Sequence, residues 1–330
     1  MRMNQNIHPS NSPLHVLLVH QAFVSPEQAG GTRHFEFARR FVTKGGRFSI
    51  VASSISYIDG KPVTPHGGIL SRQRCQGVEI IRSYTYPALH RSFVWRVFSF
   101  ISFMLSAVYG GLRAGKIDLV MGTSPPIFQA VSAWLIARVQ NVPFLLEIRD
   151  LWPEFAIDMG VLKYPLLIKL SRALEMFLYR RAGHLLVNSP AYRDHLIQKG
   201  VRSDRITLIS NGVDPQMFDP AMNGNGFRGR WGINGKFVVT YAGALGMAND
   251  IGTILKAAEI LRADLGIAFL LAGDGKERAA LEEQARQLNL PNVVFTGPLP
   301  KKQMPEVLAA SDACTATLMD IPMFKTTYPN

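Results

Sequence analysis

The sequence predicts an α/β protein of two doubly wound domains, each built on a parallel sheet with helices on both faces. Short apolar runs alternate with helical stretches along the chain, which is the pattern of parallel strands joined by crossover helices. The runs fall into two series, separated by a stretch rich in Asn, Gly and Pro. The chain of 330 residues suits two domains of about 150 residues each. Its 47% of apolar residues excludes a disordered chain.

Each series of strands predicts one sheet. Strands of the first series are predicted at residues 15–19, 48–52, 78–82, 118–121, 143–148, 184–188 and 206–209. Strands of the second series are predicted at residues 237–242, 267–272, 292–296 and 313–318. Helices are predicted between them, among others at residues 32–44, 126–140, 250–263 and 276–288.

The two series define a first domain at residues 1–214, a linker at 215–235 and a second domain at 236–330. Asn211, Gly212 and Asp214 follow the last strand of the first series in a turn, so they form the predicted hinge. Ligands of open α/β sheets bind beyond the carboxyl ends of the strands. Two facing sheets therefore predict a site in the cleft between them.

The positive charge of the chain is confined to the first domain. Residues 1–214 carry 25 Lys and Arg against 13 Asp and Glu, whereas residues 215–330 carry 11 of each class. Only six of the 25 are lysines, and arginine is the residue type that prefers phosphate. The charge predicts a polyanionic partner for the first domain: nucleic acid, an anionic membrane or a phosphorylated substrate. The alternative is that these basic residues are scattered over the surface and serve only solubility.

Two helical segments of the first domain could meet a membrane. Residues 97–112 are an uncharged run of 16 residues, shorter than the about 20 that a spanning helix needs. This segment is either a buried core helix or an interfacial helix. Residues 162–181 carry five basic residues against Glu175 alone and repeat apolar residues at helical spacing. They form either an amphipathic helix on an anionic membrane or an ordinary surface helix.

The cysteines and the first residues bear on compartment and metal binding. Cys75 and Cys314 are the only cysteines, which excludes a disulfide framework and a cysteine-based metal site and suits a reducing compartment. No histidine cluster or metal-ligand spacing occurs, so no protein-held metal is predicted. Residues 1–13 are polar, so no signal peptide is predicted.

A pair of glycines follows the first predicted strand. Gly30 and Gly31 precede Thr32 and Arg33 at the start of a helix. Backbone amides and a guanidinium at such a place can bind an anion, so these four residues are candidate acceptor- or anion-binding residues. A plain strand-to-helix turn is the alternative.

Three charged residues, Arg149, Asp150 and Glu154, follow directly on a strand that should be buried. The end of such a strand is where α/β enzymes place their chemistry, so the three are candidate catalytic residues. The Asp150 carboxylate could stabilise developing positive charge or hold a hydroxyl. Two structural alternatives are that Asp150 caps the next helix or that Arg149 holds it in an ion pair.

Two short loops of the second domain are candidate donor-binding loops. The first contains Gly243, Ala244, Leu245 and Gly246, and the second contains Asp274, Gly275 and Lys276. Each follows a strand and precedes a helix, so its backbone could approach a nucleotide or a diphosphate closely. Tight turns without a ligand are the alternative.

In their order along the chain, these motifs resemble family 4 of the retaining glycosyltransferases, which have the GT-B fold and act in bacterial surface-polysaccharide pathways. The resembling segments are spread through nearly the whole chain: Gly30-Gly31-Thr32-Arg33, Thr123-Ser124-Pro125-Pro126, Arg149-Asp150-Leu151-Trp152-Pro153-Glu154, Val187-Asn188-Ser189, Asn211-Gly212-Val213-Asp214, Tyr241-Ala242-Gly243, Gly273-Asp274-Gly275 and Phe295-Thr296-Gly297. Their order and combination are more specific than any single segment.

The resemblance implies two Rossmann-like domains that face each other across a cleft, with a nucleotide-sugar bound by the second domain and an acceptor by the first. It implies transfer with retained anomeric configuration, no metal, and no cofactor beyond the nucleotide-sugar, which is a substrate. Phosphorylated or lipid-diphosphate acceptors are common in the synthesis of lipopolysaccharide and capsule. A cytoplasmic protein, peripheral on the inner face of the cell membrane, is therefore expected, with no nucleic-acid partner.

The chain departs from the pattern of the family at two places. The Arg and Lys that many members carry after the strand that ends at Gly243 are absent from residues 244–251. Diphosphate binding must then rely on backbone amides or on basic groups elsewhere. The paired-carboxylate motif of the family would begin just beyond Asn330. The second domain is thus expected to be truncated, and this chain to be inactive or weakly active.

Two other functions stay open from the residues. One is a non-catalytic remnant of such an enzyme that still docks on a membrane or on partners. The other is a Rossmann-type oxidoreductase or epimerase, which would carry a G-x-G-x-x-G motif after the first strand; the loop there has a different spacing.

Overall fold

The computed structural model describes residues 12–26, 28, 30–56, 60–63, 68–88, 93–321 and 324. These residues form two α/β domains with one sheet each. The apolar strands lie in the sheets because helices cover both faces and bury the side chains on each side. The predicted fold class of two doubly wound domains is confirmed.

The described residues of the first domain contain eight strands: β1 (His15–Val19), β2 (Arg47–Ser53), β3 (Leu70–Cys75), β4 (Val78–Ser83), β5 (Leu119–Ser124), β6 (Phe144–Ile148), β7 (His184–Val187) and β8 (Ile206–Leu208). Their order in the sheet is β3-β4-β2-β1-β5-β6-β7-β8. All neighbours are parallel except β3 and β4, which form an antiparallel hairpin. Strand β3 was not predicted, because this edge strand is polar and largely exposed and so lacks the apolar run of a buried strand.

The helices of the first domain are α1 (Arg33–Thr43), α2 (Phe93–Leu112), α3 (Ile127–Gln140), α4 (Glu154–Asp158), α5 (Pro165–Arg181) and α6 (Pro190–Gln198). Helices α2, α3 and α5 share the core on one face of the sheet, where Phe103, Ile136 and Leu178 are buried. Helix α1 covers the other face with Phe35 and Ala38. The carboxyl ends of the parallel strands are left free to carry a site.

The second domain contains helices α7 (Asn225–Arg230), α8 (Ile251–Ile260), α9 (Arg278–Gln287) and α10 (Met304–Ala309). Its strands are β9 (Phe237–Ala242), β10 (Ile267–Ala272), β11 (Val293–Gly297) and β12 (Ala313–Cys314). They form a parallel sheet in the order β11-β10-β9-β12.

Strand β12 is shorter than the strand predicted at residues 313–318. After Cys314 the chain leaves the sheet and follows the turn at Met247–Asn249. The Thr317 hydroxyl donates to the Asn249 carbonyl at 2.5 Å, and the Met319 amide donates to the Ala248 carbonyl at 3.0 Å. Hydrogen bonds to this turn therefore replace the strand pairing that the apolar pattern predicted.

The linker predicted at residues 215–235 contains packed structure in its second part. Helix α7 lies within it, and Phe227 and Ile233 are buried in the core of the second domain. Arg228 forms an ion pair with Asp312 at 2.7 Å. The chain from Asn225 onward therefore packs with the second domain.

Helix α2 has one buried and one exposed apolar face. Ser99, Phe103 and Ala107 are buried, and the neighbouring Phe100 stacks on Phe128 of α3. The exposed apolar face of α2 consists of Val94, Trp95, Phe98, Ile101, Leu105 and Tyr109. Among the described helices, the segment Val94–Leu112 is the one that is long and apolar enough to cross a membrane by length and composition. Because only part of it is buried, α2 differs from a fully buried core helix.

Helix α5 also exposes apolar side chains. Leu178 is buried at its carboxyl end, but Leu166, Leu167 and Leu170 are exposed near its start. Lys163 and Lys169 are exposed beside them. The apolar residues that repeat at helical spacing in this segment are therefore divided between the core and the surface.

Candidate functional site

Two cavities adjoin each other between the two domains, at the carboxyl ends of their strands. We call the first the glycine-loop cavity; its volume is about 440 Å³, and its wall includes Gly30, Gly31, Gly243, Gly273, Asp274 and Lys301. We call the second the Asp150 cavity; its volume is also about 440 Å³, and its wall includes Gly31, His34, Arg149, Asp150, Asn188, Gly212 and Lys301. Gly31 and Lys301 line both cavities, so the two spaces meet there.

Gly30 and Gly31 bring the backbone of the first domain to the glycine-loop cavity. Gly30 has a φ of +128°, which side chains rarely allow, and a Cβ there would approach Val24 Cγ2 to 3.1 Å. A Cβ on Gly31 would meet no atom within 4 Å. The loop therefore lies at the cleft with open space beside Gly31, while anion binding by it stays a prediction.

The two glycine loops of the second domain contact each other, so some of their amides bond within the protein, while donor binding by these loops stays a prediction. The amide of Gly243 donates to Ala272 O at 2.9 Å. The amide of Leu245 donates to Asp274 O at 2.9 Å, and the Leu245 side chain is fully buried. The amide of Gly275 donates to Asp274 Oδ1 at 2.9 Å. Three of the predicted donor amides are thus already bonded within the protein.

Close backbone contact explains why these positions are glycines. A Cβ on Gly273 would lie 1.8 Å from Gly243 O, and a Cβ on Gly275 would lie 2.2 Å from Leu245 O. No side chain fits at either position without moving a backbone atom. The glycine pattern that suggested close approach to a nucleotide therefore also serves the packing of one loop on the other.

The remaining predicted donor residues differ in their position. Ala244 is exposed in the wall of the glycine-loop cavity, and the amides of Ala244 and Gly246 have no hydrogen-bond partner among the described residues. Asp274 lines the same cavity, 3.8 Å from Arg278 Nη1. Lys276 is exposed and lines neither cavity, so its position does not support the predicted role at the donor.

Asp150 lines the Asp150 cavity with a carboxylate that forms no hydrogen bond or ion pair with any described residue. Burial raises the pKa of this carboxyl, and the charge of Arg149 opposes that shift only in part. Neither structural alternative holds. Helix α4 begins at Glu154 with Pro153 at its N-cap, so Asp150 does not cap it, and no ion pair joins Asp150 to Arg149.

Arg149 contributes a fixed positive charge to the wall of the Asp150 cavity. Its Nε donates to Thr123 Oγ1 at 2.9 Å, and its Nη2 donates to the Pro125 carbonyl at 3.1 Å. The side chain of Asn188 donates to the Arg149 carbonyl at 3.2 Å. These bonds hold the guanidinium beside the cavity, where an anion or a carboxylate could still reach it.

A buried carboxylate that the sequence analysis did not select, Glu147 on β6, lies behind the Asp150 cavity. Its side chain is fully buried and accepts hydrogen bonds from Arg33 Nε at 3.1 Å, His34 Nε2 at 2.5 Å and Thr123 Oγ1 at 3.0 Å. The signal in the sequence is a single glutamate within an apolar strand, which has to find buried partners.

Burial and neighbouring charges set the protonation states of Glu147 and His34. Burial alone would raise the pKa of Glu147, but His34, Arg149 and Arg33 outweigh it and lower the pKa to about 2. Burial lowers the pKa of His34, although the adjacent Glu147 opposes this. His34 is therefore neutral at pH 7 and donates its Nε2–H to the ionised Glu147.

Arg33, predicted to bind an anion, is instead bonded within the first domain. Its Nη1 donates to Ser210 O at 2.9 Å and to Asn211 Oδ1 at 3.1 Å, and its Nη2 donates to Ile209 O at 2.8 Å. With its Nε on Glu147, the guanidinium has little capacity left for a ligand. Its observed role is to join α1 to β6 and to the chain after β8, which corrects the prediction.

The predicted hinge lines the Asp150 cavity and is attached to α1. Asp214 accepts from Arg39 Nη2 at 2.8 Å and lies 3.3 Å from Arg40 Nη2. Asn211 accepts from Arg33. Asn211, Gly212 and Asp214 are thus part of the wall of the site, and their role as a hinge stays a prediction.

Glu154, predicted to be catalytic, lies in an ion-pair cluster away from the cleft and lines neither cavity. Arg172 donates to both of its oxygens, at 3.1 and 2.8 Å, and Lys199 donates at 3.2 Å. Burial would raise the pKa of Glu154, but Arg172 and Lys199 outweigh it and lower that pKa. The residue joins α4 to α5 and to the end of α6, and this position does not support the predicted catalytic role.

Within the described ranges, no three His, Cys, Asp or Glu side chains are grouped so that they could hold a metal ion.

Family models and curated proteins match most of this chain. The glycosyl transferase 4-like domain matches residues 29–212, and the glycosyl transferases group 1 model matches residues 226–319. The chain is 29% identical over 201 residues to the GDP-mannose-dependent alpha-mannosyltransferase of Mycobacterium tuberculosis, covering 61% of this chain and 49% of that protein. It is 24% identical over 189 residues to the putative colanic acid biosynthesis glycosyl transferase WcaI of Escherichia coli, covering 56% and 46%. The chain spans about half the length of these curated relatives.

A solved structure shares the fold. HepE of Anabaena, solved in complex with UDP-glucose, superposes with a TM-score of 0.64 at 16% identity. The superposition covers 92% of this chain and 74% of HepE. At this identity the likeness is one of architecture, with two facing domains and a cleft between them.

Proposed function

We propose a reaction for this chain from the premise that it belongs to the glycosyltransferases, with a glycosyl transferase 4-like domain followed by a group 1 domain in the GT-B fold. The reaction is transfer of a sugar from a nucleotide-sugar to a phosphorylated, lipid-linked acceptor in cell-surface polysaccharide synthesis, with retention of the anomeric configuration. The observation that carries the proposal is the pair of cavities between the domains, which meet at Gly31 and Lys301.

The nucleotide-sugar belongs in the glycine-loop cavity. A volume of about 440 Å³ is within the range of small-molecule sites, about 300–1,000 Å³. HepE, with the same fold, was solved with UDP-glucose, and the mycobacterial relative is named for GDP-mannose. Both ligands are sugars on a nucleoside diphosphate, so we assign this chemical class to the cavity. The reaction requires no cofactor beyond this substrate.

The acceptor belongs in the Asp150 cavity. When the bond between the sugar and the diphosphate breaks, positive charge develops on the sugar ring. The unpaired carboxylate of Asp150 can stabilise that charge or orient the acceptor hydroxyl. Because Gly31 and Lys301 line both cavities, a sugar held in the first cavity lies next to an acceptor held in the second.

A lipid-linked acceptor is consistent with the surface of the first domain. The exposed apolar faces of α2 and α5 lie on the same side of the sheet, because both helices pack against α3. The whole excess of positive charge is in residues 1–214. Apolar side chains together with basic charge favour the surface of an anionic membrane. We therefore place the protein on the inner face of the cell membrane, as a cytoplasmic peripheral protein.

A donor screen followed by a transfer assay tests the proposal. Thermal unfolding of the chain with UDP-, GDP- and ADP-sugars should identify one nucleotide class that raises the melting temperature. A radiolabelled sugar of that class should then move to a polyprenyl-diphosphate acceptor, and proton NMR of the product should show the anomeric configuration of the donor.

Other outcomes contradict the proposal. Stabilisation by NADH instead of any nucleotide-sugar would favour an oxidoreductase or epimerase. An inverted product would contradict retention. Donor binding with no transfer to any phosphorylated acceptor would favour a binding protein derived from such an enzyme.

A further inference from the structure

The glycine-loop cavity has two charged side chains in its wall, Asp274 and Lys301. Lys301 begins the turn Lys301–Gln303 that follows β11, and its ammonium extends to the first domain. Its Nζ donates to Thr32 Oγ1 at 2.5 Å, where Thr32 is buried at the start of α1. No carboxylate among the described residues forms an ion pair with Lys301. Its charge is therefore balanced by no acidic side chain, although it is partly buried beside the cavity.

Several other groups that could bind a diphosphate here are already bonded, although the uncharged amides of Ala244 and Gly246 have no hydrogen-bond partner among the described residues. The amides of Gly243, Leu245 and Gly275 are bonded to protein oxygens. Arg33 is bonded to backbone carbonyls and to Glu147. Residues 244–251 contain no basic side chain. A ligand with two phosphate charges in this cavity thus has one basic side chain in the wall around it.

We propose that Lys301 binds the diphosphate of the donor, an assignment that rests on the proposed function of the cavity as a nucleotide-sugar site. A compact ammonium with three donors suits phosphate oxygens, and the attraction is strong where water is partly excluded. The diphosphate replaces or joins the Thr32 hydroxyl as the partner of Nζ.

The position of Lys301 also orients the donor. Because this residue lines both cavities, a diphosphate bound to it lies at the junction. The nucleoside then extends along the second domain toward Pro298 and Leu299, and the sugar faces the Asp150 cavity. Lys301 is thus a positioning residue, which fixes the phosphate between the nucleoside and the reacting sugar.

Calorimetric titration of the full chain with a nucleoside diphosphate and its nucleoside tests the assignment. The pairs are UDP with uridine, GDP with guanosine and ADP with adenosine, and the pair that binds the wild-type chain is used. In Lys301→Met, the affinity for the diphosphate should fall about 30-fold, which is about 2 kcal/mol, while the affinity for the nucleoside stays within about twofold. Lys301→Arg should keep most of the diphosphate affinity. Lys302→Met is the matched control, because Lys302 is exposed and lines neither cavity.

A second variant separates charge from folding. Lys301→Gln can keep a hydrogen bond to Thr32 without the charge, so it should fold and show the same selective loss. Wild-type affinity in Lys301→Met or Lys301→Gln would overturn the assignment and leave the proposed function intact. Equal losses for diphosphate and nucleoside would show that Lys301 only supports the fold through Thr32. Binding of none of UDP, GDP and ADP to the wild-type chain would overturn the proposed function and this inference with it.

Discussion

Asp150 lines the cleft, and its carboxylate forms no hydrogen bond or ion pair within the part of the chain that the structure describes. The substitution Asp150→Asn keeps the shape of the side chain and its hydrogen-bonding capacity but removes the charge. We expect transfer to slow about 100-fold, which corresponds to a loss of about 3 kcal/mol of electrostatic stabilisation in the transition state. The turnover rate with a radiolabelled donor measures this effect.

Thermal unfolding of the same variant is its control. Burial raises the pKa of Asp150 in the folded protein, so the folded state binds a proton more readily than the unfolded state does. The stability contribution of this group is therefore lost as the pH rises from the ordinary pKa through the raised one. At pH 7 the Asn variant should unfold at the wild-type temperature or higher. A wild-type rate, or a variant that does not fold, would contradict the catalytic assignment.

Glu147 should matter for stability, in contrast to Asp150. Glu147→Gln leaves the partly buried Arg33 and the adjacent Arg149 without their counter-charge, so the free energy of unfolding at pH 7 should fall by about 3 kcal/mol. The stabilisation by this carboxylate is complete above the ordinary pKa of 4.5 and is lost as the pH falls toward its folded pKa of about 2.

Urea unfolding of the wild type and of Glu147→Gln at several pH values measures the difference between their free energies of unfolding. The gap between wild type and Glu147→Gln should narrow below pH 4.5, because the carboxyl of the unfolded wild-type chain is then increasingly protonated while that of the folded chain is still ionised. Glu283→Gln is the control, since its ion pair with Arg286 is exposed and should contribute less than about 0.5 kcal/mol. A constant gap down to pH 2 would contradict the assigned charge of Glu147.

At the scale of single elements, helix α2 offers the sharpest test of membrane contact. Phe98 and Leu105 are 55% and 64% exposed on its apolar face. Replacing both by Ser removes about 2 kcal/mol of apolar transfer energy at each position. The fraction of protein that sediments with phosphatidylglycerol vesicles should therefore fall severalfold. Ile260→Ser is the matched control, because Ile260 is 82% exposed on α8 of the second domain. An equal loss in the control, or no loss in the double variant, would contradict contact through α2.

The elements that the sequence predicts correctly are those with an apolar periodicity of their own. Strands β1, β2, β9 and β10 are short apolar runs, and their bounds agree with the prediction to within one residue. Strands at the edge of a sheet are harder to predict from the sequence. Strand β3 is polar, and the run after Cys314 is apolar but bonds to a turn instead of a strand.

The candidate site could be predicted from the sequence only in part. Gly30, Gly31, Gly243 and Asp150 lie at strand ends, and the topology rule for α/β sheets places strand ends at the cleft. Whether an amide or a charge there is available depends on neighbours that are distant in sequence. Local sequence does not show that Arg33 bonds to residues 209–211, because 176 or more positions separate the partners.

For the whole molecule, the separation of charge between the domains predicts how vesicle binding depends on salt and on lipid. The 25 basic against 13 acidic residues before position 215 attract an anionic surface, and each basic residue near that surface contributes about 1 kcal/mol at low ionic strength. Binding to phosphatidylglycerol vesicles should fall as NaCl is raised from about 0.05 to 0.5 M, since the Debye length shortens to a few ångströms. Phosphatidylcholine vesicles should bind weakly at any salt concentration. Equal binding to both lipids would show that the charge plays no part.

The bonds between Arg33 and residues 209–211 have a mechanical consequence. These hydrogen bonds attach the end of the first domain to α1. Asp214 is attached to the same helix by ion pairs with Arg39 and Arg40. The pivot for any rotation between the domains therefore lies after Asp214, in the ten residues before Asn225. Such a rotation would carry the wall from Asn211 to Asp214 along with the first domain, and it would move Lys301 of the second domain relative to that wall. The bond from Lys301 to Thr32 joins the second domain to the first across the cleft, so a rotation that moves the domains apart has to break this contact.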